Sequence, residues 1–351
     1  MKTGQALMQN RFNFSRNWLL VFVLAFLFSC SENNAKLTKQ EVLLQGKTMG
    51  TTYSIKLIGK EQEVKDQQIH QQIDALLKQV NQEMSTYIPD SELSLFNKSV
   101  SGEPVALSQG LERVMAEAIR LGELTGGKLD VTVGPLVNLW GFGPEFRPET
   151  VPGDELLTTT RARTGLDKLT LADGKLTKAN PALYVDLSTI AKGYAVDKVA
   201  ELVEANGYQN YLVEIGGELR LKGFKHNGSL WHLAIEKPIS HKRLVQQYIV
   251  PKDNAVATSG DYRNYFEADG QRFSHIIDPA TGKPINHKLV SVTVIHPSSM
   301  TADGLSTAMM VMGEEQAMAF AEENDLAAFL IVKTDDGFEQ QSTVKFVQYL
   351  K

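Results

Sequence analysis

Apolar side chains recur at helical spacing in three parts of the chain. One run covers residues 69–80 and a second covers residues 111–124, and in each run the apolar positions fall on one face of a helix. A third run starts near Thr189 and ends at Asn206-Gly207, a pair that commonly stops a helix. The pattern predicts three amphipathic helices, each with one buried face.

Strand-like segments are distributed differently. Residues 47–57 alternate between apolar and polar side chains, which is typical of a half-buried strand. Later apolar segments come in a group, separated by Gly, Pro or Asn, at residues 211–215, 231–235, 248–250 and 290–296, before a helix at residues 301–312. Grouped strands favour an α+β fold over a doubly wound sheet. Because we find neither a repeat nor a linker, we expect a single composite domain.

The first thirty residues have the pattern of a targeting segment. Lys2, Arg11 and Arg16 form a basic start, and an unbroken apolar run follows at residues 18–28. A helix needs about 20 residues to span a bilayer, and this run has 11. A basic start, a short apolar run and then small residues are typical of a secretory signal. Residues 1–29 are therefore predicted to be a signal peptide.

Cys30 is the single cysteine of the chain and directly follows Ser29. Two interpretations are open: a thiol in a signal peptide that is cleaved elsewhere, or a bacterial lipobox that is cleaved before Cys30 and lipidated on its sulfur. The small residue before the cysteine favours the lipobox, whose alkyl chains would suffice for stable anchoring. We expect residues 30–44 to be the lipidated cysteine and a polar tether, and residues 45–351 to be the folded domain.

Composition narrows the possible function classes. The chain has 351 residues, of which 42% are hydrophobic, and a net charge of −5. Because no cysteine follows residue 30, neither disulfides nor thiolate metal sites can stabilise the mature protein. The negative charge and the absence of a long basic cluster argue against a nucleic-acid partner.

Residues 185–194 form the most informative stretch. A strand is predicted to end at Asp186, two hydroxyl residues follow, and a helix begins. Ser188 or Thr189 would cap this helix in the simplest interpretation. In the other interpretation the helix N-terminus is an anion site. A diphosphate there would explain Lys192 in the first turn, where a cation is otherwise unfavourable.

Residues 301–307 hold a second candidate site. On a helix, Asp303 and Thr307 are four residues apart and share a face. One carboxylate and one hydroxyl suit Mg²⁺, which binds few protein ligands and retains waters or phosphate oxygens. Alternatively, Asp303 is the N-cap of this helix and Thr307 only fills space.

Residues 257–265 and 274–284 mix polar and aromatic side chains with turns, which suggests a pocket wall. His275 is either a packed structural histidine or a general base, since hydroxyls and carboxylates surround it in the sequence. Gly216-Gly217 indicates a turn or a close backbone approach. No G-x-G-x-x-G segment opens a helix here, so a Rossmann dinucleotide site is excluded.

The order of these motifs resembles one known family. The chain carries, in this order, KTMGT, MSTY, LDVTVGPLVNLWGFG, VDLSTIAKGY, GGE, ATSGDYRNY, SHIIDP and TADGLST. From about residue 45 to the C-terminus it is similar to the ApbE family of flavin transferases. The resemblance implies an α+β fold with a T-fold-like core.

The resemblance also implies roles for individual residues. The implied flavin site contains Met49, Tyr87, Lys128, Leu129, Asp130, Asp186, Lys192 and Ile277. The implied magnesium ligands are Thr189, Asp303 and Thr307. The family position that matches Lys192 is variable and often acidic.

The activity implied is a Mg²⁺-dependent transfer of FMN from FAD to a Thr or Ser hydroxyl of an acceptor protein, with release of AMP. Our candidate for the base is His275. Three alternatives stay open: hydrolysis of FAD to FMN and AMP in the same site, a non-catalytic flavin-binding lipoprotein, and a protein that itself accepts FMN. The intact Asp303/Thr307 pair argues against the second. The third would need a Ser-Gly-Ala-Thr type motif, which the chain lacks.

The resemblance and the first thirty residues together imply a location. Family members usually lie at the periplasmic face of the inner membrane, near a respiratory flavoprotein acceptor, and we expect the same lipid-anchored location here. Ser31 after Cys30 points instead to the outer membrane under the enterobacterial sorting rule.

Overall fold

The computed structural model describes residues 39–100, 102–143, 151–239, 244–262, 265–268 and 271–351. Its helices are α1 (Glu61–Asp66), α2 (Ile69–Met84), α3 (Glu92–Lys98), α4 (Gln109–Leu124), α5 (Gly134–Leu139), α6 (Asp154–Arg161), α7 (Ala191–Ala205), α8 (Ser299–Met312) and α9 (Glu314–Glu323). Short 3₁₀ segments cover Leu166–Lys168 and Val344–Tyr349. The predicted signal peptide, Cys30, Arg263 and Asn264 lie outside the described residues.

The first strands are β1 (Gln40–Thr48), β2 (Thr51–Gly59), β3 (Val105–Ala106), β4 (Leu169–Ala172), β5 (Lys175–Lys178), β6 (Tyr211–Ile215), β7 (Glu218–Lys222), β8 (Leu233–Glu236) and β9 (Val245–Ile249). The later strands are β10 (Ala255–Gly260), β11 (Tyr265–Ala268), β12 (Gln271–Ser274), β13 (Ile277–Asp278), β14 (Lys283–Pro284), β15 (Leu289–His296), β16 (Ala327–Thr334) and β17 (Gly337–Ser342).

One antiparallel sheet of eight strands organises the fold. Its order is β1-β2-β6-β7-β10-β15-β16-β17. Smaller sheets pair β3-β5-β4, β8-β9, β11-β12 and β13-β14. Gln40–Lys351 form one compact unit, so the predicted α+β class and single domain are confirmed.

The middle of the main sheet is covered on both faces. Seven consecutive residues of β15 are buried, in agreement with its mostly apolar sequence. On one face Val292 and Val294 share a core with α7 and α8. On the other face Val290 and Ile295 pack in a second cluster with Phe346 of the C-terminal segment. Helix α8 is therefore fixed against the sheet along its length.

The three amphipathic helices predicted from apolar spacing are confirmed as α2, α4 and α7. In α2 Ile69, Ile73, Leu77 and Val80 are buried, and Leu76 is half-buried against the same core. Helix α7 begins at Ala191, slightly later than predicted, and ends before Asn206. Two later elements begin a few residues away from their predicted starts. Strand β8 begins at Leu233 rather than at residue 231, and α8 begins at Ser299 rather than at residue 301.

The single strand predicted at residues 47–57 was wrong, because this segment is a hairpin. Strands β1 and β2 pair from Gln40/Gly59 to Thr48/Thr51. The two-residue turn is Met49-Gly50, with φ of 50° and 71°. A hairpin turn with two positive φ angles matches the twist of the flanking strands, and Gly50 adopts its angle without strain.

Two further boundaries differ from the predictions. Strand β1 begins at Gln40, so residues 40–44, predicted to belong to the tether, are part of the main sheet, with Val42 and Leu44 buried in the core. No regular strand ends at Asp186. Its N–H donates to Val131 O at 2.7 Å, and the preceding Val185 N–H donates to Asn97 Oδ1 at 2.8 Å. These backbone groups are thus satisfied by a loop and a side chain, not by a neighbouring strand.

Candidate active site

A cavity of about 650 Å³ opens where α7 and α8 meet the main sheet. This volume is typical of a small-molecule site. Among the residues predicted for the site, its wall contains Tyr87, Lys128, Leu129, Asp130, Asp186, Thr189, Lys192, His275, Ile277, Asp303 and Thr307. Segments that are far apart in sequence thus converge on one cavity.

Met49 is the predicted site residue that does not belong to this wall. It lies in the β1–β2 turn, where it is half-buried and packs against the main core. Thr51, at the other end of this turn, and Lys192 both lie against Gly216 of the cavity wall, so the hairpin that carries Met49 borders the site.

The start of α7 differs from the simple capping interpretation. Its N-cap is Ile190, and no side chain caps the helix. Ser188 instead donates its N–H to Asp186 Oδ1 at 2.8 Å. The Thr189 hydroxyl oxygen is buried, and among the described residues it has no hydrogen-bond partner. A buried oxygen without a partner is costly, so Thr189 is suited to a ligand rather than to a cap.

The start of α8 excludes Asp303 as an N-cap. Ser298 is the N-cap, and its hydroxyl accepts from Thr301 N–H at 3.3 Å. Asp303 lies inside the helix and is 3% exposed. Its Oδ2 accepts the backbone N–H of Gly193 at 3.0 Å, in the first turn of α7. A protein carboxylate therefore already lies at this helix N-terminus, where a negative charge is favourable.

Lys192 also has a protein partner. Its Nζ lies 2.5 Å from Glu218 Oε1 and 3.8 Å from Asp303 Oδ1. Burial alone would lower the pKa of Lys192, but the carboxylates of Asp303 and Glu218 outweigh it and raise that pKa. Lys192 is therefore a cation in this site, and Glu218 resolves the unfavourable placement of a positive charge at the start of α7.

Asp303 and Glu218 together carry more negative charge than Lys192 neutralises. Burial, with the Glu218 charge adding to it, raises the pKa of Asp303 despite the opposing effects of Lys192 and the Gly193 N–H. Glu218 is 5% exposed, and its Oε2 has no hydrogen-bond partner within the described part of the chain. A second positive charge beside Asp303 would relieve this imbalance.

The oxygen atoms at this point fit a hard divalent cation. Asp303, Thr307 and the unpartnered Thr189 hydroxyl all line the same cavity. Thr307 Oγ1 lies 3.1 Å from Ser259 Oγ, which in turn lies 2.8 Å from Ser306 Oγ. The described residues hold no cluster of three His, Cys, Asp or Glu. Few protein ligands, all of them oxygen, suit Mg²⁺ better than Zn²⁺.

Another part of the wall combines the Tyr87 ring with the carboxylates of Asp130 and Asp186. Tyr87 is 70% exposed at the cavity, where partial desolvation and the Asp186 charge raise its pKa. Asp130 Oδ1 accepts the N–H of Thr132 at 2.7 Å and its hydroxyl at 2.6 Å. Burial raises the pKa of Asp130, and these two bonds oppose the effect. Lys128 Nζ lies 3.7 Å from Asp278 Oδ1.

His275 follows β12 and lines the cavity. It is half-buried, and its ring meets Phe142 edge-on at 6.3 Å between centroids. The next two residues, Ile276 and Ile277, are buried and anchor the segment. The imidazole is thus held at the wall of the cavity that also contains Asp303.

Comparison with known proteins assigns the family. A sequence model of the ApbE family matches residues 49–330. The chain belongs to the ApbE family. It is 55% identical to the FAD:protein FMN transferase of Vibrio cholerae over 335 residues, which is 95% of this chain and 99% of that protein. It is 52% identical to the enzyme of the same name from Haemophilus influenzae over 312 residues, 87% of this chain and 90% of that protein.

A solved structure agrees with the sequence relationship. The flavin transferase ApbE from Vibrio cholerae superposes with a TM-score of 0.83 and 55% identity, covering 89% of this chain and 100% of that one. The solved ApbE from Pseudomonas stutzeri, at 42% identity, gives a TM-score of 0.82 and covers 89% of this chain and 97% of that one.

Sequence reasoning on this ApbE-family chain missed one residue of the charged cluster. Glu218 was part of the Gly-Gly-Glu motif, but no role was assigned to it. Gly216 and Gly217 form the two-residue turn between β6 and β7, with φ of 61° and 109°. Both line the cavity, so the predicted turn is confirmed, and Glu218 enters the site directly after it. A glycine pair followed by a carboxylate was the available signal.

Proposed function

We propose that this ApbE-family chain transfers FMN from FAD to a Thr or Ser hydroxyl of an acceptor protein and releases AMP. The names of the relatives support flavin transfer. The observation that carries the proposal is the convergence of a buried acidic cluster and unpartnered oxygen atoms on a cavity large enough for a nucleotide. Phosphoryl transfer asks a protein mainly for alignment and charge neutralisation.

Mg²⁺ would be held by Asp303, Thr307 and Thr189. When bound, the ion supplies Lewis acidity and a template for the diphosphate of FAD. The Gly193 N–H holds the Asp303 carboxylate from the α7 side at 3.0 Å. Because Lys192 is paired with Glu218, one carboxylate oxygen of Asp303 stays accessible to the ion.

The remaining wall residues would bind the substrate. Tyr87 offers an exposed ring against which a flavin can stack. Lys128 and Asp130 lie in the same wall, where they can bind the polar atoms of FAD. Asp303 and Glu218 are buried in this wall, so charges act strongly there.

His275 would remove the proton of the acceptor hydroxyl. The hydroxyl oxygen forms a bond to the phosphorus on the riboflavin side. The bond from that phosphorus to the bridging oxygen breaks, and AMP leaves with this oxygen. The proton passes to His275, the wall residue best suited to general base catalysis near neutral pH.

The test combines the purified protein, FAD, Mg²⁺ and a candidate acceptor. Flavin fluorescence that stays on the acceptor after denaturing electrophoresis is expected, together with one equivalent of AMP. An acceptor whose Thr or Ser is replaced by Val or Ala, and a reaction with EDTA, serve as controls. Free FMN with no labelled acceptor would instead identify the chain as an FAD hydrolase.

We also propose that the chain is exported and lipid-anchored through Cys30 at the periplasmic face of the inner membrane. Support comes from the sequence pattern before residue 31, which lies outside the described residues. Within the described ranges, no helix is long and apolar enough to cross a bilayer. Labelling with radioactive palmitate should occur in the wild type and be lost in Cys30→Ser. Density-gradient separation of the inner and outer membranes then shows which of the two contains the protein.

A further inference from the structure

Asp197 is a buried carboxylate on α7 that lies outside the cavity wall. It is 1% exposed and accepts four hydrogen bonds. Its Oδ1 accepts from Ser299 N–H and from Arg220 Nη1, both at 3.0 Å. Its Oδ2 accepts from Met300 N–H at 3.0 Å and from the Ser298 hydroxyl at 2.7 Å. Three of these four donors belong to the start of α8.

These bonds make Asp197 an external cap of α8. The first N–H groups of a helix have no partner within the helix, and a negative charge beside them is favourable. The Ser298 hydroxyl caps Thr301 N–H, while Asp197 satisfies the two residues that follow Ser298. One carboxylate from α7 therefore fixes where α8 begins.

A second contact joins the same two helices one turn earlier on α7. Gly193 and Asp197 are four residues apart and share a face of the helix. The Gly193 N–H binds Asp303. A Cβ atom at this glycine would lie 2.4 Å from Ser299 O and 2.8 Å from Asp303 Cβ. The absence of a side chain thus lets α7 and α8 approach closely, and two contacts fix their relative position.

We propose that Asp197 is a positioning residue for the metal ligands of α8. It holds the first turn of the helix that carries Asp303 and Thr307, and so sets the direction in which both oxygen donors face the cavity. This inference rests on the proposed function, because it assumes that these residues bind Mg²⁺. Residues that orient metal ligands typically contribute about 10- to 100-fold to metal affinity.

Arg220 makes the buried charge of Asp197 tolerable. Burial lowers the pKa of the Arg220 guanidinium, but Asp197 and neighbouring groups outweigh it and raise that pKa. Arg220 also lies 3.6 Å from Glu204 Oε1. Asp197 therefore contributes to folding as well as to positioning, and a test must separate the two roles.

The experiment measures Mg²⁺ affinity by calorimetric titration of the purified protein with Mg²⁺ alone. Asp197→Asn keeps the side-chain shape but loses an acceptor and the charge. We expect its dissociation constant for Mg²⁺ to rise about tenfold, with FAD affinity nearly unchanged. Ser298→Ala removes one donor to Asp197 without leaving a charge unpaired, so it remains testable if Asp197→Asn does not fold. We expect a rise of about threefold for it.

The matched control is Glu204→Gln, on the same helix. Glu204 accepts the Tyr211 hydroxyl, pairs with Lys222 and lies 3.6 Å from Arg220, so this variant disturbs the charges around Arg220 without removing a hydrogen bond of Asp197 to α8. It should lower the Tm while leaving Mg²⁺ affinity unchanged. Equal Mg²⁺ affinity in Asp197→Asn, Ser298→Ala and wild type would overturn the positioning role. If wild type binds no Mg²⁺, or if Asp303→Ala binds Mg²⁺ as well as wild type does, the metal assignment fails. The positioning role of Asp197 then fails as well.

Discussion

Lys192 and Glu218 form a close ion pair, with 2.5 Å between Nζ and Oε1, although Asp303 is also within 3.8 Å of the same nitrogen. Glu218 is thus the main partner of the ammonium group. Because one cation is shared unequally between two buried carboxylates, the Asp303 carboxylate keeps part of its charge uncompensated. This unequal sharing supports the proposal that Asp303 binds a metal ion.

Neutralising Glu218 should weaken metal binding. In Glu218→Gln the ammonium of Lys192 loses its close ionic partner, so Asp303 becomes its only carboxylate partner in the cluster. We expect the Mg²⁺ concentration for half-maximal transfer to rise about tenfold, which corresponds to about 1.4 kcal/mol. Glu41→Gln, which removes a partly exposed ion pair with Lys56, is the control. An unchanged Mg²⁺ requirement in Glu218→Gln would contradict the ion-pair interpretation.

Asp303 should be needed for activity but not for folding. Asp303→Asn retains an acceptor for the Gly193 N–H while it removes a buried negative charge. We expect transfer to fall at least about 100-fold. The Tm without Mg²⁺ should equal or exceed that of wild type, because burial disfavours the charged form. Transfer assays measure the loss of activity, and thermal melts measure the Tm. Normal flavinylation by this variant would refute the metal assignment.

Local patterns predicted the helices well, because a helix with one buried face needs apolar residues at helical spacing. Ile69 and Ile73 are examples, and both are fully buried in α2. The hairpin at Met49-Gly50 was missed, since the apolar-polar alternation continues through the turn. The backbone angles at those two residues, not their hydrophobicity, reverse the chain.

The charged contacts of the site could not be predicted in the same way. Lys192 and Glu218 are on different elements, and their pairing depends on how α7 packs on β7. Likewise, nothing in the sequence around Asp197 distinguishes it from other polar residues of a helix. Its role depends on the packing of α7 against α8. The ordered motifs located the cavity wall, but the partner of each charge depends on tertiary packing.

A side chain at residue 193 should separate α7 from α8. In Gly193→Ala the new methyl group would meet the backbone oxygen of Ser299 at 2.4 Å, which requires movement of a helix. We expect a loss of about 1–3 kcal/mol in the free energy of unfolding, and weaker Mg²⁺ binding. Gly153→Ala is the control, since a Cβ there meets nothing within 4 Å. Chemical denaturation and calorimetry measure the two effects. Wild-type values for both would show that the two helices tolerate the methyl group.

Removal of the His275 imidazole should slow the chemical step and leave binding intact. We expect His275→Gln to lower kcat about 100-fold or more, with the KM for FAD and the Mg²⁺ requirement within about twofold of wild type. The acid limb of the pH–rate profile should disappear, since that limb reports protonation of the base. A parallel loss of FAD affinity would instead assign His275 to substrate binding.

His296 should make the fold sensitive to acid. Burial lowers the pKa of its imidazole below the ordinary 6.5, and Arg120 adds to this, while Ser298, Glu117 and Asp197 oppose it. The His296 Nδ1 lies 3.0 Å from Ser298 N and 3.2 Å from Ser298 O, so an unprotonated Nδ1 can accept the Ser298 N–H directly before α8. Protonation would remove this acceptor at the point where the N-cap of α8 begins.

The sign of the effect follows from the lowered pKa. The unfolded chain binds the His296 proton at a higher pH than the folded chain, so the contribution of His296 to stability is present above pH 6.5 and is lost as the pH falls. His296→Gln should therefore flatten the fall in the free energy of unfolding as the pH drops below about 6.5. His226→Gln, at an exposed position, should leave that slope unchanged. Urea denaturation at several pH values measures it. An equally steep fall in His296→Gln and wild type would assign the acid sensitivity to other groups.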